Sequence, residues 1–326
     1  MLDIAVIGAG RIGAIHARNI AAHQGARLVG IADPDGAAAA KLAQACGTAV
    51  ISLDAAFQAA AVLIGSPTPT HADFIERAAQ GSQAIFCEKP IDLALARVEA
   101  CLAIVQHTKT ALMVGFNRRF DPHFAELKRR LDAGAIGKLE MLTILSRDPA
   151  PPPPAYVAAS GGLFRDMMIH DLDMARFLLD EEPVAIHAVA SCLVDPAIGA
   201  AGDVDTAMVT LRTASGRMCQ ISNSRRASYG YDQRIEAHGA RGMLRAGNVP
   251  VTTVELANET GLIADPVLPF FLERYAAAYR AEIDHFITEI SAGRQPTPDG
   301  DDGRAALRLA EAASEAARTG QTVVLA

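Results

Sequence analysis

Tryptophan is absent from the 326-residue sequence, and only 5% of its residues are aromatic, although 50% are hydrophobic. No uninterrupted apolar run approaches the roughly 20 residues of a membrane span. The chain starts with a charged strand in place of a signal peptide. These absences exclude a membrane-spanning protein, and we expect a soluble globular protein of about two domains in the cytoplasm.

A strong positive charge is also absent. The 30 lysines and arginines are outnumbered by 37 acidic residues, and the net charge is −7. The basic residues form no long cluster beyond Lys128-Arg129-Arg130, so nucleic acid is not expected as a partner.

The cysteines do not indicate a disulfide framework or a zinc site. Their number is odd and they fit no CxxC spacing: Cys46, Cys87, Cys101, Cys192 and Cys219. We therefore expect reduced thiols in the core.

A glycine-rich turn near the amino terminus predicts a nucleotide site. An apolar run over residues 3–7 leads into Gly8-Ala9-Gly10-Arg11-Ile12-Gly13 and then into a helical pattern. Such glycines permit a tight turn, a close approach of the backbone to a pyrophosphate, and close packing of the helix on the strand. A second apolar strand ends in Asp33, whose carboxylate can bind the ribose hydroxyls and repel a 2′-phosphate. NAD is therefore predicted over NADP; an ordinary turn at residues 33–36 is the alternative.

Strands and helices alternate through the first third of the chain. After the strand at 28–32 we expect strands at 48–51, 61–65, 83–87 and 111–114, which predicts a doubly wound parallel sheet. Ser66, Pro67 and His71 follow one strand, and Glu88 and Lys89 follow the next, at the edge where such sheets bind ligands. The ammonium of Lys89 can stabilise a developing alkoxide; a solvated surface lysine is the alternative.

The second half predicts a different architecture. Strands are expected at 136–146, 184–194, 204–212, 216–223, 232–239 and 251–256, without regular intervening helices. This succession indicates an open, mostly antiparallel sheet with a helix at 161–180 packed on one face. The predicted fold class is α/β followed by α+β, with domains at 1–118 and 119–326.

Asp166, His170 and Asp173 recur at i, i+4 and i+7 and therefore share one face of the predicted helix. Asp166 can orient the imidazole of His170, which can then take a proton from a substrate alcohol. A core histidine that merely satisfies an aspartate is the alternative. Zinc on these three residues is less favoured because Lys89 already supplies an electrophile.

Motifs in both halves carry a family resemblance. They are Gly8 to Gly13, Glu88-Lys89-Pro90, Gly115-Phe116-Asn117-Arg118-Arg119-Phe120-Asp121, Ser146-Arg147-Asp148-Pro149, Gly161-Gly162 with Asp166-Met167 and Ile169-His170-Asp171, and Gly230-Tyr231-Asp232-Gln233-Arg234. On these residues the whole chain resembles the glucose–fructose oxidoreductase/inositol dehydrogenase (Gfo/Idh/MocA) family. Within that family it is most similar to the myo-inositol 2-dehydrogenases.

The resemblance implies an activity, which is NAD-dependent oxidation of a ring hydroxyl of a cyclic polyol to a ketone. The expected reaction converts myo-inositol to 2-keto-myo-inositol (scyllo-inosose). The implied fold is a Rossmann domain followed by an open-sheet domain whose outer face usually makes homotetramers. Scyllo-inositol or a pyranose such as glucose is the alternative substrate. A non-catalytic NAD-binding sensor is a further alternative, which has no need of Lys89, Asp166 and His170 together.

The resemblance also implies roles for individual residues. Lys89, Asp166 and His170 form the expected catalytic group, and Asn117, Arg118, Asp148 and Tyr231 line the expected polyol pocket. The expected cofactor-binding residues are Gly8, Gly10, Arg11, Ile12, Gly13, Asp33, Ser66, Pro67, His71, Glu88 and Lys89. No metal is expected.

Overall fold

The computed structural model describes residues 1–325 and divides them into two compact units. The first unit contains residues 1–120 and 278–307, and the second contains residues 121–277 and those from 308 onward. The final residue, Ala326, which the sequence prediction included in the second domain, lies outside the described residues. No helix within residues 1–325 is both long enough and apolar enough to cross a membrane.

The first unit is built on a five-stranded parallel sheet. Its strands are β1 (Leu2–Ile7), β2 (Ala26–Ala32), β3 (Ala61–Ile64), β4 (Ala84–Glu88) and β5 (Leu112–Gly115), in the order β2-β1-β3-β4-β5. Strands β3 and β5 are buried along their whole length, because helices cover both faces of such a sheet. The strand order reverses between β1 and β3, and ligands of open parallel sheets bind at the carboxyl end of such a reversal.

Five helices connect these strands. They are α1 (Arg11–Ala22), α2 (Gly36–Cys46), α3 (Leu53–Ala56), α4 (His71–Gln80) and α5 (Leu95–Thr108), with short 3₁₀ turns at Thr68–Thr70 and Asn117–Phe120. Local sequence sets their ends: Asp35 caps α2 by accepting hydrogen bonds from two backbone amides, and Gly47 ends it in the left-handed conformation with φ of 66°.

The second unit is built on a seven-stranded mixed sheet. Its strands are β6 (Leu139–Arg147), β7 (Pro183–Ser191), β8 (Thr206–Thr213), β9 (Met218–Ser224), β10 (Asp232–Gly239), β11 (Gly242–Ala246) and, at one edge, β14 (Val323–Val324). Two further strands, β12 (Glu255–Asn258) and β13 (Gly261–Ala264), form a separate hairpin. The order is β11-β10-β6-β9-β8-β7-β14, and only β6 and β9 are parallel neighbours among these described strands.

The second unit also contains shorter helices, and a π-helical segment at Leu163–Met168 leads into one of them, α8. They are α6 (Pro122–Asp132), α7 (Pro154–Ser160), α8 (Ile169–Leu179), α9 (Pro196–Ala200) and α10 (Phe271–Arg274). Helix α8 contacts β6. Its buried apolar residues include Leu172, Met174, Leu178 and Leu179, so the predicted packing of this helix on the open sheet is confirmed.

Two long helices, α11 (Ala276–Ser291) and α12 (Gly300–Thr319), precede the last strand, β14. Ile283, Phe286 and Ile287 of α11 join the core of the parallel sheet, together with Ile20 and Phe86. This packing is why residues 278–307 group with the first unit, whereas the sequence prediction gave them to a continuous second domain at 119–326.

The predicted fold class is confirmed, with local departures. The strand expected at 48–51 is reduced to one isolated bridge between Ile31 and Val50, because Ser52 caps helix α3 and ends the pairing. The strand expected at 251–256 is replaced by the exposed β12–β13 hairpin outside the main sheet. The helix expected at 161–180 starts with the π-helical segment and becomes an α-helix only at Ile169.

Candidate active site

The glycine turn has the shape that a pyrophosphate requires. A Cβ on Gly13 would lie 2.0 Å from the carbonyl oxygen of Gly8, and a Cβ on Gly8, where φ is 108°, would lie 2.6 Å from Gly65. Neither position has room for a side chain. A Cβ on Gly10 would meet no atom within 4 Å, so the space in front of the first turn of α1 is open. The residues fit NAD, because backbone amides at a helix start can bind phosphate there.

The carboxylate of Asp33 is fixed beside this turn. One oxygen accepts a hydrogen bond from the amide of Ala9 at 2.6 Å, and the other accepts from the amide of Asp35 at 2.8 Å. Asp33 is half-buried at the end of β2. Its contact with the amide of Ala9 supports a role in binding the ribose hydroxyls, which stays a prediction.

His71 connects two loops at the carboxyl edge of the sheet. Its Nε2 lies 2.7 Å from the carbonyl oxygen of Ser66, and its Nδ1 lies 2.8 Å from the carbonyl oxygen of Pro90. The ring is buried, and the hydroxyl of Ser66 lies 2.6 Å from that of Thr70. Pro67 precedes the 3₁₀ turn in the same loop. The structure therefore brings together the loops that follow β3 and β4.

Glu88, the last residue of β4, directly precedes Lys89 and belongs to a cluster of buried side chains. Glu88 Oε1 lies 2.7 Å from His16 Nε2 of α1, and Glu88 Oε2 accepts a hydrogen bond from the amide of Lys89 at 3.3 Å. Glu282 of α11 brings its Oε1 to 3.9 Å from the same His16 nitrogen. Burial, and then the nearby Glu88, raises the pKa of Glu282 well above its ordinary value.

Sequence reasoning missed His16 and Glu282. His16 lies one helical turn after Gly13, on the buried face of α1 with Ala17 and Ile20, and this position was the available signal. Within residues 1–325, His16, Glu88 and Glu282 are also the one group of three whose possible metal-ligand atoms lie within 4.8 Å of one another. The zinc alternative at Asp166, His170 and Asp173 is not such a group.

Asn117 and Arg118 lie in the 3₁₀ turn that follows β5 in the first unit, and both are buried. Strand β5 pairs with β4 so that Gly115 lies opposite Glu88. The turn therefore starts at the same edge of the sheet as Lys89, as expected for adjacent parallel strands.

In the second unit the structure brings Asp148 and Asp166 together around a buried arginine. Arg225 Nη1 lies 3.9 Å from Asp148 Oδ2, and its Nη2 lies 3.5 Å from Asp166 Oδ2. Asp166 Oδ1 also accepts a hydrogen bond from the hydroxyl of Tyr156 at 3.0 Å. Asp148 follows β6, and its amide donates to the carbonyl oxygen of Ser224 at 3.0 Å. Arg225 had not been predicted from the sequence, since nothing in its spacing separates it from a surface arginine.

His170 lies in the first turn of α8, and its neighbour Asp171 holds that helix to the sheet. Asp171 is fully buried and accepts hydrogen bonds from the hydroxyl of Ser146 on β6 and, at 2.8 Å, from Asn223 Nδ2 on β9. Tyr231 is buried just before β10. Lys89 belongs to the first unit and Asp166 and His170 to the second, so their grouping in one catalytic site stays a prediction.

Comparison with known proteins is consistent along the whole chain. Residues 2–116 match the oxidoreductase family with an NAD-binding Rossmann fold, and residues 124–245 match the GFO/IDH/MocA C-terminal domain. The inositol 2-dehydrogenase of Rhizobium meliloti is 54% identical over 311 residues, with 94% of each chain covered. The myo-inositol 2-dehydrogenase of Thermotoga maritima is 44% identical over 329 residues, 99% of this chain and 98% of its own.

A solved structure agrees with these relatives. The scyllo-inositol dehydrogenase of Lactobacillus casei with bound NAD(H) and scyllo-inositol is 31% identical, covers 99% of each chain and superposes with a TM-score of 0.92. The family predicted from the sequence and its cofactor, NAD, are thereby confirmed. With its glycine turn, its Asp33 and both of its matched domains, the chain belongs to the GFO/IDH/MocA family of NAD-dependent oxidoreductases.

Proposed function

We propose that the protein oxidises a ring hydroxyl of myo-inositol to the ketone of scyllo-inosose, with NAD as the hydride acceptor. The observation that carries the proposal is a cluster in the second unit, in which buried Arg225 lies between Asp148 and Asp166. Asp166 belongs to the π-helical segment that leads into α8, the helix that bears His170. Held by the buried cation of Arg225, Asp148 offers a fixed acceptor for a polyol hydroxyl, and Asp166 is fixed where it can orient His170. Relatives at 54% and 44% identity are named as inositol dehydrogenases.

The proposed chemistry separates the proton from the hydride. His170, oriented by Asp166, takes the proton of the hydroxyl, while the ammonium of Lys89 stabilises the negative charge that develops on the same oxygen. NAD supplies the acceptor for the hydride that leaves the carbinol carbon. The carbon–oxygen bond thereby becomes a carbonyl, and the proton on His170 is released to water. The hydroxyl of Tyr156, bonded to Asp166, holds that carboxylate in place.

The remaining assignments complete the site. We propose that Asn117, Arg118, Asp148 and Tyr231 bind the other polyol hydroxyls. We propose that the cofactor is bound by Gly8, Gly10, Arg11, Ile12, Gly13, Asp33, Ser66, Pro67, His71, Glu88 and Lys89. The fixed carboxylate of Asp33 supports a preference for NAD, since a 2′-phosphate would meet its negative charge.

The outer face of the seven-stranded sheet supports a homotetramer. Met141, Val189, Met208 and Met218 are between 45% and 56% exposed, and they are paired across strands, Met141 with Met218 and Val189 with Met208. Exposed apolar pairs on a sheet face are typical of interaction surfaces. Multi-angle light scattering is expected to give a tetramer for the wild type and a smaller species for Met208→Glu; an unchanged mass for both would contradict this surface.

The cytoplasm is the proposed location. All five cysteines are free, and three of them, Cys87, Cys101 and Cys219, are buried. Reduced thiols are the usual state of cysteine in that compartment.

The substrate is tested by following absorbance at 340 nm with NAD or NADP across a panel of cyclic polyols. The panel contains myo-inositol, scyllo-inositol, chiro-inositol, D-glucose, L-glucose and D-xylose. The highest kcat/KM is expected with NAD and myo-inositol. A higher value with scyllo-inositol or a pyranose would replace the substrate and keep the mechanism. No turnover on any of them, with NAD binding intact, would favour a sugar outside this panel or the sensor.

The base is tested by His170→Ala. A placed general base contributes about 10²- to 10⁴-fold, and we expect kcat to fall within that range while NAD binding measured by calorimetry stays the same. His107→Ala, at an exposed histidine of α5, is the matched control and is expected to keep full activity. Loss of NAD binding in His170→Ala would show that the histidine has been misplaced.

A further inference from the structure

The cluster of His16, Glu88 and Glu282 joins three elements that are far apart in sequence. All three side chains are buried. The imidazole of His16 is also held edge-on by two aromatic rings, with centroids 5.0 Å away for Phe86 and 5.7 Å away for Tyr279. A histidine fixed on two sides by packing and on a third by a carboxyl group has one orientation available to it.

Glu282 is the second carboxyl group of this cluster, on helix α11. Within the described residues neither of its carboxyl oxygens has a hydrogen-bond partner, and its side chain is fully buried. An isolated buried carboxylate is costly, and the group becomes neutral instead by keeping its proton. Neutral Glu282 leaves the second carboxyl of the cluster, on Glu88, free of like-charge repulsion.

Glu88 links this cluster to the backbone of Lys89. One of its oxygens contacts His16, and the other accepts the amide hydrogen of Lys89. The space for that carboxyl depends on Gly115, because a Cβ there would lie 3.1 Å from it. The position of the Lys89 backbone is therefore tied to a side chain that is itself held by α1.

We propose that His16 and Glu282 are positioning residues that act on Lys89 through Glu88. The proposal rests on the proposed function, in which the ammonium of Lys89 stabilises the developing alkoxide. Displacements of about 1 Å at a catalytic group lower rates by up to about 10²-fold. The cluster thus fixes the strand end from which Lys89 reaches the substrate oxygen.

A double-mutant cycle tests the proposal. His16→Leu removes the ring nitrogens at similar size, and His16→Gln keeps a donor near the place of Nε2; each is made in the wild type and in Lys89→Ala. We expect His16→Leu to lower kcat about tenfold with little change in the KM for NAD, and His16→Gln to recover most of it. In Lys89→Ala, whose residual rate is measured with concentrated enzyme, His16→Leu is expected to change kcat less than about twofold.

Hydrogen exchange gives a readout that does not depend on turnover. The amide of Lys89 is expected to exchange faster in His16→Leu than in His16→Gln, because only the leucine variant releases the carboxyl that accepts its hydrogen. His23→Leu is the matched control: His23 lies at the end of the same helix and contacts Asp284 of α11 at 3.0 Å. It is expected to leave the exchange of Lys89 and the value of kcat unchanged.

The outcomes separate two kinds of failure. If Lys89→Ala lowers kcat but His16→Leu is equally damaging in both backgrounds, the positioning role is overturned and the proposed function stands. If Lys89→Ala leaves kcat unchanged, the proposed role of Lys89 fails and the positioning role fails with it. A stoichiometric divalent metal in the purified protein, lost in Glu282→Gln, would also overturn the proposal, since the same three residues would then be ligands.

Discussion

Replacement of Glu282 by glutamine is expected to change how the stability of the first unit depends on pH. The pKa of Glu282 is raised in the folded state, first by burial and then by Glu88, so the folded protein keeps a proton that the unfolded chain releases above about pH 4.5. Its contribution is fully present below that pH and is lost as pH rises toward the folded pKa. Each pH unit in this window lowers the unfolding free energy by about 1.4 kcal/mol.

The amide of Glu282→Gln does not titrate, so this slope is expected to disappear in the variant. Above about pH 5.5 the variant is expected to gain on the wild type by up to about 1.4 kcal/mol per pH unit, for as long as Glu282 keeps its proton in the folded protein. His16 and Glu88 are the titratable groups that face Glu282, and both are kept in the variant.

Native-state hydrogen exchange of peptides from β1, β3 and β4 is the appropriate assay, because a chain with two units does not unfold in one step. Glu99→Gln, at an exposed position on α5 of the same unit, is the matched control and is expected to keep the wild-type slope. Parallel slopes for the wild type and Glu282→Gln would refute the argument that Glu282 is a neutral acid in the folded protein.

Other substitutions test the glycine turn and the second unit. Gly13→Ala is expected to unfold the first unit in thermal melts, because its Cβ would lie 2.0 Å from a carbonyl oxygen, whereas Gly10→Ala is expected to keep the melting temperature and to lose NAD affinity in calorimetry. Arg274→Met is expected to destabilise the second unit by about 3–5 kcal/mol in native-state hydrogen exchange of peptides from α6, since it leaves the buried carboxylate of Asp121 without its ion-pair partner. The exposed Arg318→Met is its control and is expected to change little; a similar small effect at Arg274 would contradict the role of that pair.

The features that local sequence controls were predictable. Gly8, Gly13 and Asp33 act over fewer than thirty residues, and their spacing reports a turn, a close helix contact and a strand end. The alternation of strands and helices in the first third, and the uninterrupted strands in the second half, were sufficient to predict the fold class. Family motifs supplied the candidate catalytic residues, whose grouping across the two units stays a prediction.

Features set by distant parts of the chain were not predictable. The apolar stripe of α11 shows that this helix is packed, but nothing in its pattern identifies the sheet that receives it. Glu282 lies on that helix and His16 lies 266 positions before it, so their meeting with Glu88 depends on tertiary structure. Arg225 was missed for the same reason, because burial and partners distinguish it from other arginines.

Because residues 278–307 belong to the first unit, that unit cannot be completed until late in synthesis. The parallel sheet is translated by residue 120, yet Ile283, Phe286 and Ile287, which cover part of it, emerge only after the whole central segment of the second unit. At about 5–20 residues per second, roughly 10–40 s pass before the covering helix is available. The nascent nucleotide-binding half therefore exposes apolar surface to chaperones during that interval, and a fragment cut at residue 118 would carry the same exposed surface permanently.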